Sequence, residues 1–270
     1  MVPRDASTSP AIPIEGTPFL SIGSGRSRLL LLADLHLGLG GTERWATGPP
    51  EGAWLGQAEG IERAARSVRA RTIVLAGDVK HPIVGTPRPL RPIVFDFFAH
   101  LLSGGFSVEV VLGNHDVGLV RHLPKEVGVH PTSGAVFGPV GVFHGHRWPS
   151  EPVRRAPMLV AGHLHPGYRL APSADERIGK ERCWVRVTFP DRASAPKRRR
   201  ARHDFDAREM IVLPAANPLA GCEPLNLGRP KRSRSFLFHR FLARGAARAY
   251  LLDGTDLGPI ATSDPDAPRS

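Results

Sequence analysis

Five short stretches of the chain combine acidic, imidazole and amide side chains, the groups that bind divalent metal ions through oxygen and nitrogen. Each stretch follows, or nearly follows, an apolar run that is typical of a buried strand. These five ligand stretches are Asp34-Leu35-His36, Gly77-Asp78, Gly113-Asn114-His115-Asp116, His144-Gly145-His146 and Gly162-His163-Leu164-His165. Because rigid strands can deliver such groups to one place, the sequence predicts a centre for two adjacent metal ions.

These ligand types suit the hydrolysis of phosphate esters. Two metal ions about 3.5–4 Å apart polarise a phosphate, lower the pKa of a bridging water and hold the in-line geometry of attack. The stretches contain no thiolate, which argues against a structural zinc site. Oxygen and imidazole ligands suit manganese, iron, zinc or nickel, and of these we expect manganese. We therefore expect a phosphoesterase that uses two divalent metal ions.

The five ligand stretches differ in how much each says by itself. Asp-x-His and Gly-Asp are weak patterns, since an acid near a helix start with a surface histidine is equally common. Gly113–Asp116 is stronger because three polar side chains crowd one corner after a strand. Gly162–His165 is also strong because residues i and i+2 of an extended chain point to the same side. Five such stretches in order, each at a strand end, make coincidence a poor explanation.

The apolar runs also predict the elements that position these residues. The first half reads strand–helix–strand–helix–strand, and the second half reads mostly as strands. This alternation predicts an α/β fold, a four-layer α-β-β-α sandwich of two mixed sheets flanked by helices. Predicted helices are Glu51–Ala70 and Ile93–Leu102; predicted strands are Leu29–Ala33, Thr72–Ala76, Val108–Leu112, Val127–His130, Ala135–Phe137, Val140–Phe143, Met158–Ala161, Cys183–Phe189, Met210–Leu213, Phe236–Phe238 and Ala249–Leu252.

Composition divides the chain into a single folded domain with irregular ends. Residues 1–27 are rich in Pro, Ser and Gly and are expected to be irregular. Residues 28–255 are expected to form the domain, and residues 256–270 a C-terminal tail. Two basic insertions without apolar periodicity interrupt it at about 190–208 and 228–235.

Charge and hydropathy bound the location and the partners. The chain of 270 residues has a formal net charge of +11, which attracts polyanions such as nucleic acid. The basic runs Lys197–Arg202 and Lys231–Arg234 are either nucleic-acid contacts or solvated loops. No apolar stretch approaches the roughly 20 residues that cross a membrane, and the N-terminus has no secretory pattern. We expect a cytoplasmic protein, with its oligomeric state left open.

The ligand stretches resemble the signature blocks of the calcineurin-like metallophosphoesterase superfamily, from about Leu29 to His165. Further segments resemble one subfamily, the archaeal SbcD-related phosphoesterases and their bacterial DNA-ligase-associated relatives. Those segments are His144–Pro149, Gly162–Pro166, Cys183-Trp184, Ile211–Ala215 and Asn217–Gly221. The second resemblance covers nearly the whole chain. It implies less about function, because the subfamily is defined largely by its similarity to a repair nuclease.

The superfamily resemblance implies a role for each matched residue. The first metal would bind Asp34, His36 and His165; the second would bind Asn114, His144 and His163; Asp78 would bridge both. A metal-bridging hydroxide would attack the phosphate, and His115, held by Asp116, would assist the leaving oxygen. The superfamily ligand is the histidine before glycine, which favours His144 over His146.

Several nearby residues have less definite expected roles. His146 is either a substrate contact or structural, while Asn114 and Arg147 are candidate substrate contacts. We expect His81 to lie on the surface near the site and Asn217 to be a turn residue.

Three functions remain open at this stage. The first is hydrolysis of a phosphodiester in nucleic acid or a nucleotide, including a role in DNA repair. The second is a nucleic-acid-binding accessory protein that uses the fold as a scaffold. The third is a phosphomonoesterase, which is disfavoured because the protein-phosphatase branch carries Gly-Asn-His-Glu where this chain has Gly113-Asn114-His115-Asp116.

Overall fold

Two mixed β-sheets form the centre of the computed structural model, which describes residues 11–40, 52–170, 179–190, 205–227, 237–238, 242 and 246–260. The basic runs Lys197–Arg202 and Lys231–Arg234 lie outside these residues. No helix in the described ranges is long and apolar enough to cross a membrane.

The first sheet contains six strands and is covered on one face by two helices. The strands are β1 Ile12–Pro13, β2 Leu20–Ile22, β3 Leu29–Leu32, β4 Thr72–Leu75, β5 Ser107–Val111 and β6 Gly128–His130; the helices are α1 Ala53–Ser67 and α2 Leu90–Ser103. Their spatial order follows the chain, from β1 to β6. β3 to β6 run parallel, whereas β1 and β2 are added antiparallel at one edge.

The second sheet contains nine strands and is mostly antiparallel at its margins. Its strands are β7 Ala135–Phe137, β8 Val140–Phe143, β9 Met158–Ala161, β10 Pro166–Arg169, β11 Lys180–Thr188, β12 Glu209–Val212, β13 Glu223–Pro224, β14 Ala246–Leu251 and β15 Asp256–Pro259, with a short helix α3 at Glu151–Arg154. The order is β13-β10-β11-β12-β9-β8-β7, and β14 pairs with both β11 and β15. β8, β9 and β12 run parallel. Short 3₁₀ turns lie at Gly25–Ser27, Leu119–His122, Pro218–Ala220 and Leu225–Leu227.

Successive side chains of a strand alternate between the two faces of its sheet, and this places them in different layers of the core. On β3, Leu30 and Leu32 pack under the helices, whereas Leu31 faces the second sheet. Successive side chains of a strand point to opposite faces, so a fully apolar strand is buried on both sides. From the second sheet, Val160 and Trp184 join Leu31 in the core between the sheets.

A third core covers the outer face of the second sheet. It contains Val185 and Met210 from the strands and Val153 from α3. The α/β class with two mixed sheets is therefore confirmed. In the described residues α3 is the only α-helix on this outer side, and the layer also includes Leu237 and Phe238, which have π-helical geometry.

The expectation that residues 1–27 are irregular is wrong for Leu20–Ile22. These residues form β2, which pairs antiparallel with β3 and is fully buried. Leu20 and Ile22 pack into the core between the sheets. A strand of three residues gives a short alternation, and here the surrounding Pro, Ser and Gly residues conceal it. Residues 1–10 lie outside the described ranges.

Two expectations for the C-terminal part are also wrong. Residues 256–270 are not simply a tail, because Asp256–Pro259 pairs with β14 as β15. Leu237 and Phe238 are not in the strand predicted at Phe236–Phe238, although both side chains are buried in the outer core. An apolar run signals burial, but it does not by itself distinguish strand from other geometry. Phe236 lies outside the described residues.

The burial of β2 predicts a stability effect at Ile22, which is 1% exposed. Ile22→Ala should lower the free energy of unfolding by roughly 2–5 kcal/mol, because it leaves a cavity between the sheets. Ile12→Ala, in the neighbouring β1 where the side chain is 50% exposed, should change it by less than about 0.5 kcal/mol. Urea unfolding followed by circular dichroism measures both. Equal, small effects would show that β2 does not contribute to the core.

Candidate metal centre

The five ligand stretches meet at the carboxyl ends of strands in both sheets. Neighbouring parallel strands place their carboxyl ends at the same edge, where ligands bind in open α/β sheets. We use "metal centre" for seven residues: Asp34 and His36 after β3, Asp78 after β4, Asn114 after β5, His144 after β8, and His163 and His165 after β9.

Asp34, His36 and His165 form a first acid–histidine group. The Nε2 atoms of His36 and His165 are 3.2 Å apart, and Asp34 Oδ1 lies 3.3 Å from His165 Nε2. One ligand atom from each residue lies within 4.8 Å of the other two. Asp34 is completely buried, and its Oδ1 has no well-oriented hydrogen-bond donor among the described residues. This geometry leaves a carboxylate oxygen and two imidazole nitrogens facing one point.

Asp78, His144 and His163 form a second acid–histidine group, with Asn114 beside it. Their ligand atoms also lie within 4.8 Å of one another. His144 Nε2 is 3.2 Å from Asp78 Oδ2 and 3.2 Å from Asn114 Oδ1. His144 Nδ1 donates a hydrogen bond of 2.8 Å to the Ala76 carbonyl, which fixes the ring so that Nε2 points into the group.

Asp78 lies between the two groups. Its Oδ2 is 3.2 Å from His144 Nε2 in the second group and 4.0 Å from His36 Nε2 in the first. The same oxygen is 3.7 Å from His115 Nε2. Its other oxygen, Oδ1, accepts a hydrogen bond of 2.8 Å from the His115 backbone N–H. One carboxylate thus faces both groups and the adjacent histidine.

Five residues of the metal centre have a left-handed backbone. The φ angles are 57° at Asp34, 45° at His36, 52° at Asp78, 73° at His163 and 43° at His165. Such a conformation is uncommon outside glycine and costs on the order of 1–3 kcal/mol per residue. Within the described residues only one other non-glycine position, Arg69, has a positive φ. Because strain of this kind persists mainly at functional sites, the backbone itself marks this region as one.

Two glycines allow the ligand loops to approach closely. A Cβ on Gly113 would overlap the Asp78 carboxylate and its backbone nitrogen. A Cβ on Gly77 would overlap the His144 ring, and φ at Gly77 is 90° as well. The glycines in these stretches are therefore packing requirements of the metal centre.

The two buried carboxylates have histidines as their only cationic partners in the described part of the chain. Burial alone would raise the pKa of Asp34 and of Asp78, but the neighbouring histidines outweigh it and lower the pKa of both. Burial would lower the pKa of His144, yet its hydrogen bond to Asp78 and the charges of both carboxylates raise that pKa to about 9. In the metal-free site, a proton on His144 therefore supplies part of the missing positive charge.

The other histidines of the metal centre respond differently to burial. Burial lowers the pKa of His36 and of His163 to about 4, so both rings are neutral and can donate a lone pair. Burial also lowers the pKa of His165, but Asp34 raises it by more and the net shift is upward. Metal binding requires neutral imidazole and ionised carboxylate. His36, His163 and the two carboxylates already have these forms, whereas His144 must release its proton when a metal ion binds.

These residues fit two divalent cations. Asp34, His36 and His165 would hold one ion, Asn114, His144 and His163 would hold the other, and Asp78 would contact both. The fit rests on two buried carboxylates whose ion-pair partners in the described ranges are histidines, and on Asp34 Oδ1, which accepts no well-oriented hydrogen bond there. The donor set is oxygen and imidazole nitrogen, which accepts several divalent metals.

His115 borders the metal centre, but the expectation that Asp116 holds it is wrong. The His115 Nδ1 hydrogen-bonds to the backbone carbonyl of His81. Asp116 instead accepts hydrogen bonds from the backbone N–H groups of Val79 at 2.9 Å and Gly113 at 2.8 Å. Its carboxylate is buried at 3% exposure and joins the two ligand loops. Asp116 therefore joins the loops through backbone amides, and the His115 ring is oriented by the His81 carbonyl instead.

Three further side chains lie around the metal centre. The His81 ring stacks on His115 with 5.9 Å between centroids, and its Nδ1 has no hydrogen bond with the described residues. The His146 ring lies 5.2 Å from that of His144, and burial lowers the pKa of His146 to about 4. Arg147 is exposed. The sequence predicted His81 on the surface near the site, and the structure places its half-buried ring at the edge of the site.

Sequence reasoning also underestimated Asn217, which it treated as a turn residue. Asn217 is 3% exposed and does form a turn, because its Oδ1 accepts a 2.9 Å hydrogen bond from the Leu219 N–H. Its Nδ2 also donates to the His36 carbonyl at 3.4 Å, and its N–H donates to the Asp34 carbonyl at 3.4 Å. The loop after β12 thus supports the backbone of the first acid–histidine group. The resemblance of the segment 217–221 to a subfamily pattern was the available signal.

Comparison with known protein families agrees with this geometry. The family model described as calcineurin-like phosphoesterase matches residues 27–189, more than half of the chain. The chain belongs to the calcineurin-like phosphoesterase family. It is therefore a hydrolase of phosphoester bonds, with His and Asp groups that fit the two divalent metals typical of the family. The family model does not distinguish subfamilies, so the resemblance to the SbcD-related subfamily stays a prediction, and no curated protein matches the chain.

A solved structure shows the same fold. The nuclease MPE of Pseudomonas putida is 18% identical, with a TM-score of 0.51 over 92% of this chain and 100% of the nuclease. Yfce, a phosphoesterase from E. coli, is 14% identical, with a TM-score of 0.38 over 87% of this chain and 99% of Yfce. At these identities the similarity concerns the fold alone, and it rests on the first comparison.

The close approach at Gly113 predicts that a single methyl group disrupts this phosphoesterase centre. Gly113→Ala should displace the Asp78 carboxylate and weaken binding of divalent metal by at least about 10-fold, because Asp78 serves both groups. Gly56→Ala in α1, where a Cβ meets nothing within 4 Å, should keep metal binding and stabilise the helix slightly. Isothermal titration with Mn²⁺ measures both variants. Unchanged affinity in Gly113→Ala would contradict the assigned role of Asp78.

The raised pKa of His144 predicts a pH-dependent stability of the metal-free protein. The pKa of His144 is about 9 in the folded protein and 6.5 ordinarily. The stability that protonated His144 contributes is therefore fully present below pH 6.5 and is lost as the pH rises to about 9. The free energy of unfolding in urea, measured with chelator, should therefore fall over this range. His144→Asn should lack this component. The same pH slope in both proteins would show that His144 does not hold the proton.

Proposed function

We propose that the protein is a manganese-dependent phosphodiesterase that acts on nucleic acid or nucleotides at the metal centre. The observation that carries this proposal is the position of Asp78, which faces both acid–histidine groups and lies 3.7 Å from His115 Nε2. Hydrolysis of a phosphoester needs charge stabilisation on both sides of the phosphorus and a proton for the departing oxygen. The two acid–histidine groups would hold the ions that stabilise the charge, and His115 would supply the proton.

The bound metals and His115 would divide the chemistry. When bound, two divalent ions polarise the phosphate and lower the pKa of water. The seven residues of the metal centre would hold and orient them. His115 keeps its Nδ1 on the His81 carbonyl, so Nε2 is the atom that would pass a proton to the leaving oxygen. Because Asp116 binds backbone amides, it would act only by fixing the loops.

The surface around His115 favours a substrate with more than a bare phosphate. Ile83 and Val84 follow His81, and Val117 and Val120 follow His115; all four are exposed apolar residues. Apolar side chains of this kind can pack against the base of a nucleotide. The net charge of +11 adds attraction for a polyanion.

Further contacts and the biological setting are part of the same proposal. His146 and Arg147 border the second acid–histidine group and are proposed substrate contacts, together with Asn114. The basic runs Lys197–Arg202 and Lys231–Arg234 are proposed to contact nucleic-acid phosphates. The subfamily resemblance suggests a role in DNA repair, and the fold shared with a nuclease is compatible with it.

Purified protein should hydrolyse a bis-aryl phosphodiester faster than the matching aryl monoester in Mn²⁺, and chelator should abolish this turnover. Asp78→Asn should remove activity because it weakens both metal positions. His115→Ala should lower kcat by about 100-fold or more, the usual contribution of a positioned general acid. Asp96→Asn, an exposed acid on α2, is the matched control and should retain full activity. Release of the aryl alcohol at a range of substrate concentrations gives kcat and KM.

The same assay separates the alternatives. Turnover of the monoester alone would identify a phosphomonoesterase. Full activity in Asp78→Asn would refute the metal centre. No turnover in protein shown to hold two metal ions would favour a nucleic-acid-binding accessory protein. In that case the affinity for single-stranded DNA should fall by about one power of salt concentration per neutralised phosphate.

A further inference from the structure

Lys80 is a completely buried lysine two residues after Asp78. No carboxylate in the described part of the chain forms an ion pair with its ammonium group. Its Nζ instead donates hydrogen bonds to two backbone carbonyls, those of Pro82 and His115. A buried cation that has only neutral acceptors is costly, whereas an apolar side chain of similar length would fill the same space without that cost.

Both acceptors belong to the segments that fix the His115 ring. One acceptor is the carbonyl of His115 itself. The other acceptor is the carbonyl of Pro82, the residue after His81. The carbonyl of His81 in turn accepts the hydrogen bond from His115 Nδ1. Lys80 Nζ therefore ties the His115 backbone to the short segment on which the ring of the same histidine is anchored.

The backbone of Lys80 is anchored as well. Asp116 accepts hydrogen bonds from the backbone N–H of Val79 at 2.9 Å and from that of Lys80 at 3.4 Å, and from Gly113 at 2.8 Å. The carboxylate thus joins the two loops at their base, and the ammonium joins them again beside His115. Two independent links restrict the ring of His115 relative to Asp78.

We propose that Lys80 is a positioning residue that acts through His115. Its ammonium holds the His115 and Pro82 carbonyls together, which keeps His115 Nδ1 on the His81 carbonyl and Nε2 toward Asp78. The catalytic consequence rests on the proposed function, in which Nε2 protonates the leaving oxygen. The structural consequence, a fixed ring orientation, does not depend on turnover.

The kinetic test uses Lys80→Met, His115→Ala and the double variant on two methyl aryl phosphodiesters. One has a 4-nitrophenoxide leaving group, and the other has an unsubstituted phenoxide, which needs protonation more. Lys80→Met should lower kcat for the phenyl diester by about 10-fold or more, with a smaller loss for the nitrophenyl diester and little change in KM. Adding Lys80→Met to His115→Ala should cost nothing further, since both act through one group.

A merely structural role would give a different result. Equal losses on the two diesters, or additive losses in the double variant, would overturn the proposal. Two bound Mn²⁺ per chain in Lys80→Met would show that the metal centre is intact. Lys125→Met, which removes an exposed lysine, controls for loss of charge and should behave as wild type.

A nuclear magnetic resonance measurement keeps this proposal separate from the proposed function. In chelated wild-type protein in alkaline solution, where imidazole is neutral, the ¹⁵N spectrum of the His115 ring should show a single Nδ1–H tautomer. The signal is assigned by its loss in His115→Asn. Lys80→Met should give mixed tautomers. A mixed or Nε2–H form in the wild type would overturn the role of Lys80, and this result does not require Lys80→Met to fold. Absence of turnover together with the expected spectrum would count only against the proposed phosphodiesterase function.

Discussion

The burial of two carboxylates, Asp34 and Asp78, is the constraint on which the rest of the site depends. An ionised carboxylate removed from water costs several kcal/mol unless positive charge or hydrogen bonds compensate it. In the described residues, the ion-pair and hydrogen-bond partners of these two carboxylates are imidazoles and backbone amides. The site is therefore incomplete in charge without cations. The raised pKa of His144 is the response of the metal-free protein to the same deficit.

Such an arrangement needs a backbone that cannot relax. The ligand loops are hydrogen-bonded to one another directly, since the Asp34 N–H donates to the Gly77 carbonyl at 3.0 Å and the His36 N–H to the Asp78 carbonyl at 2.9 Å. Across the two parallel strands of the second sheet, the Gly162 N–H donates to the His144 carbonyl at 2.9 Å. These links extend the parallel ladders into the loops, which is how left-handed conformations at the ligands can persist. The strain is thus supported by sheet pairing.

The same physics explains what could be predicted from the sequence. Val140–Phe143 and Met158–Ala161 have the predicted bounds, because an apolar run in a buried strand is a local signal. Ala135–Phe137 also has its predicted bounds, although its side chains are only partly buried or exposed. β2 and β15 were missed because they are strands only through their pairing with β3 and β14, respectively. The residues of β2 and β15 do not themselves indicate that pairing. The ligand types were readable for the same local reason. The partner of Asp116 and the burial of Lys80 arise from contacts between loops more than 30 residues apart, which one sequence does not reveal.

The His115 ring is oriented by a neutral backbone carbonyl, so the residues around it must supply both the charge and the rigidity. A carboxylate partner would supply charge along with direction, whereas the His81 carbonyl supplies direction only. Asp78 is then the one carboxylate of the described residues close to the His115 Nε2, and its charge is shared with both acid–histidine groups. A neutral acceptor is also a weaker anchor, so the segment that carries it must be held in place by another interaction. Lys80 provides that interaction, and this explains why the chain places a buried ammonium group beside its metal centre.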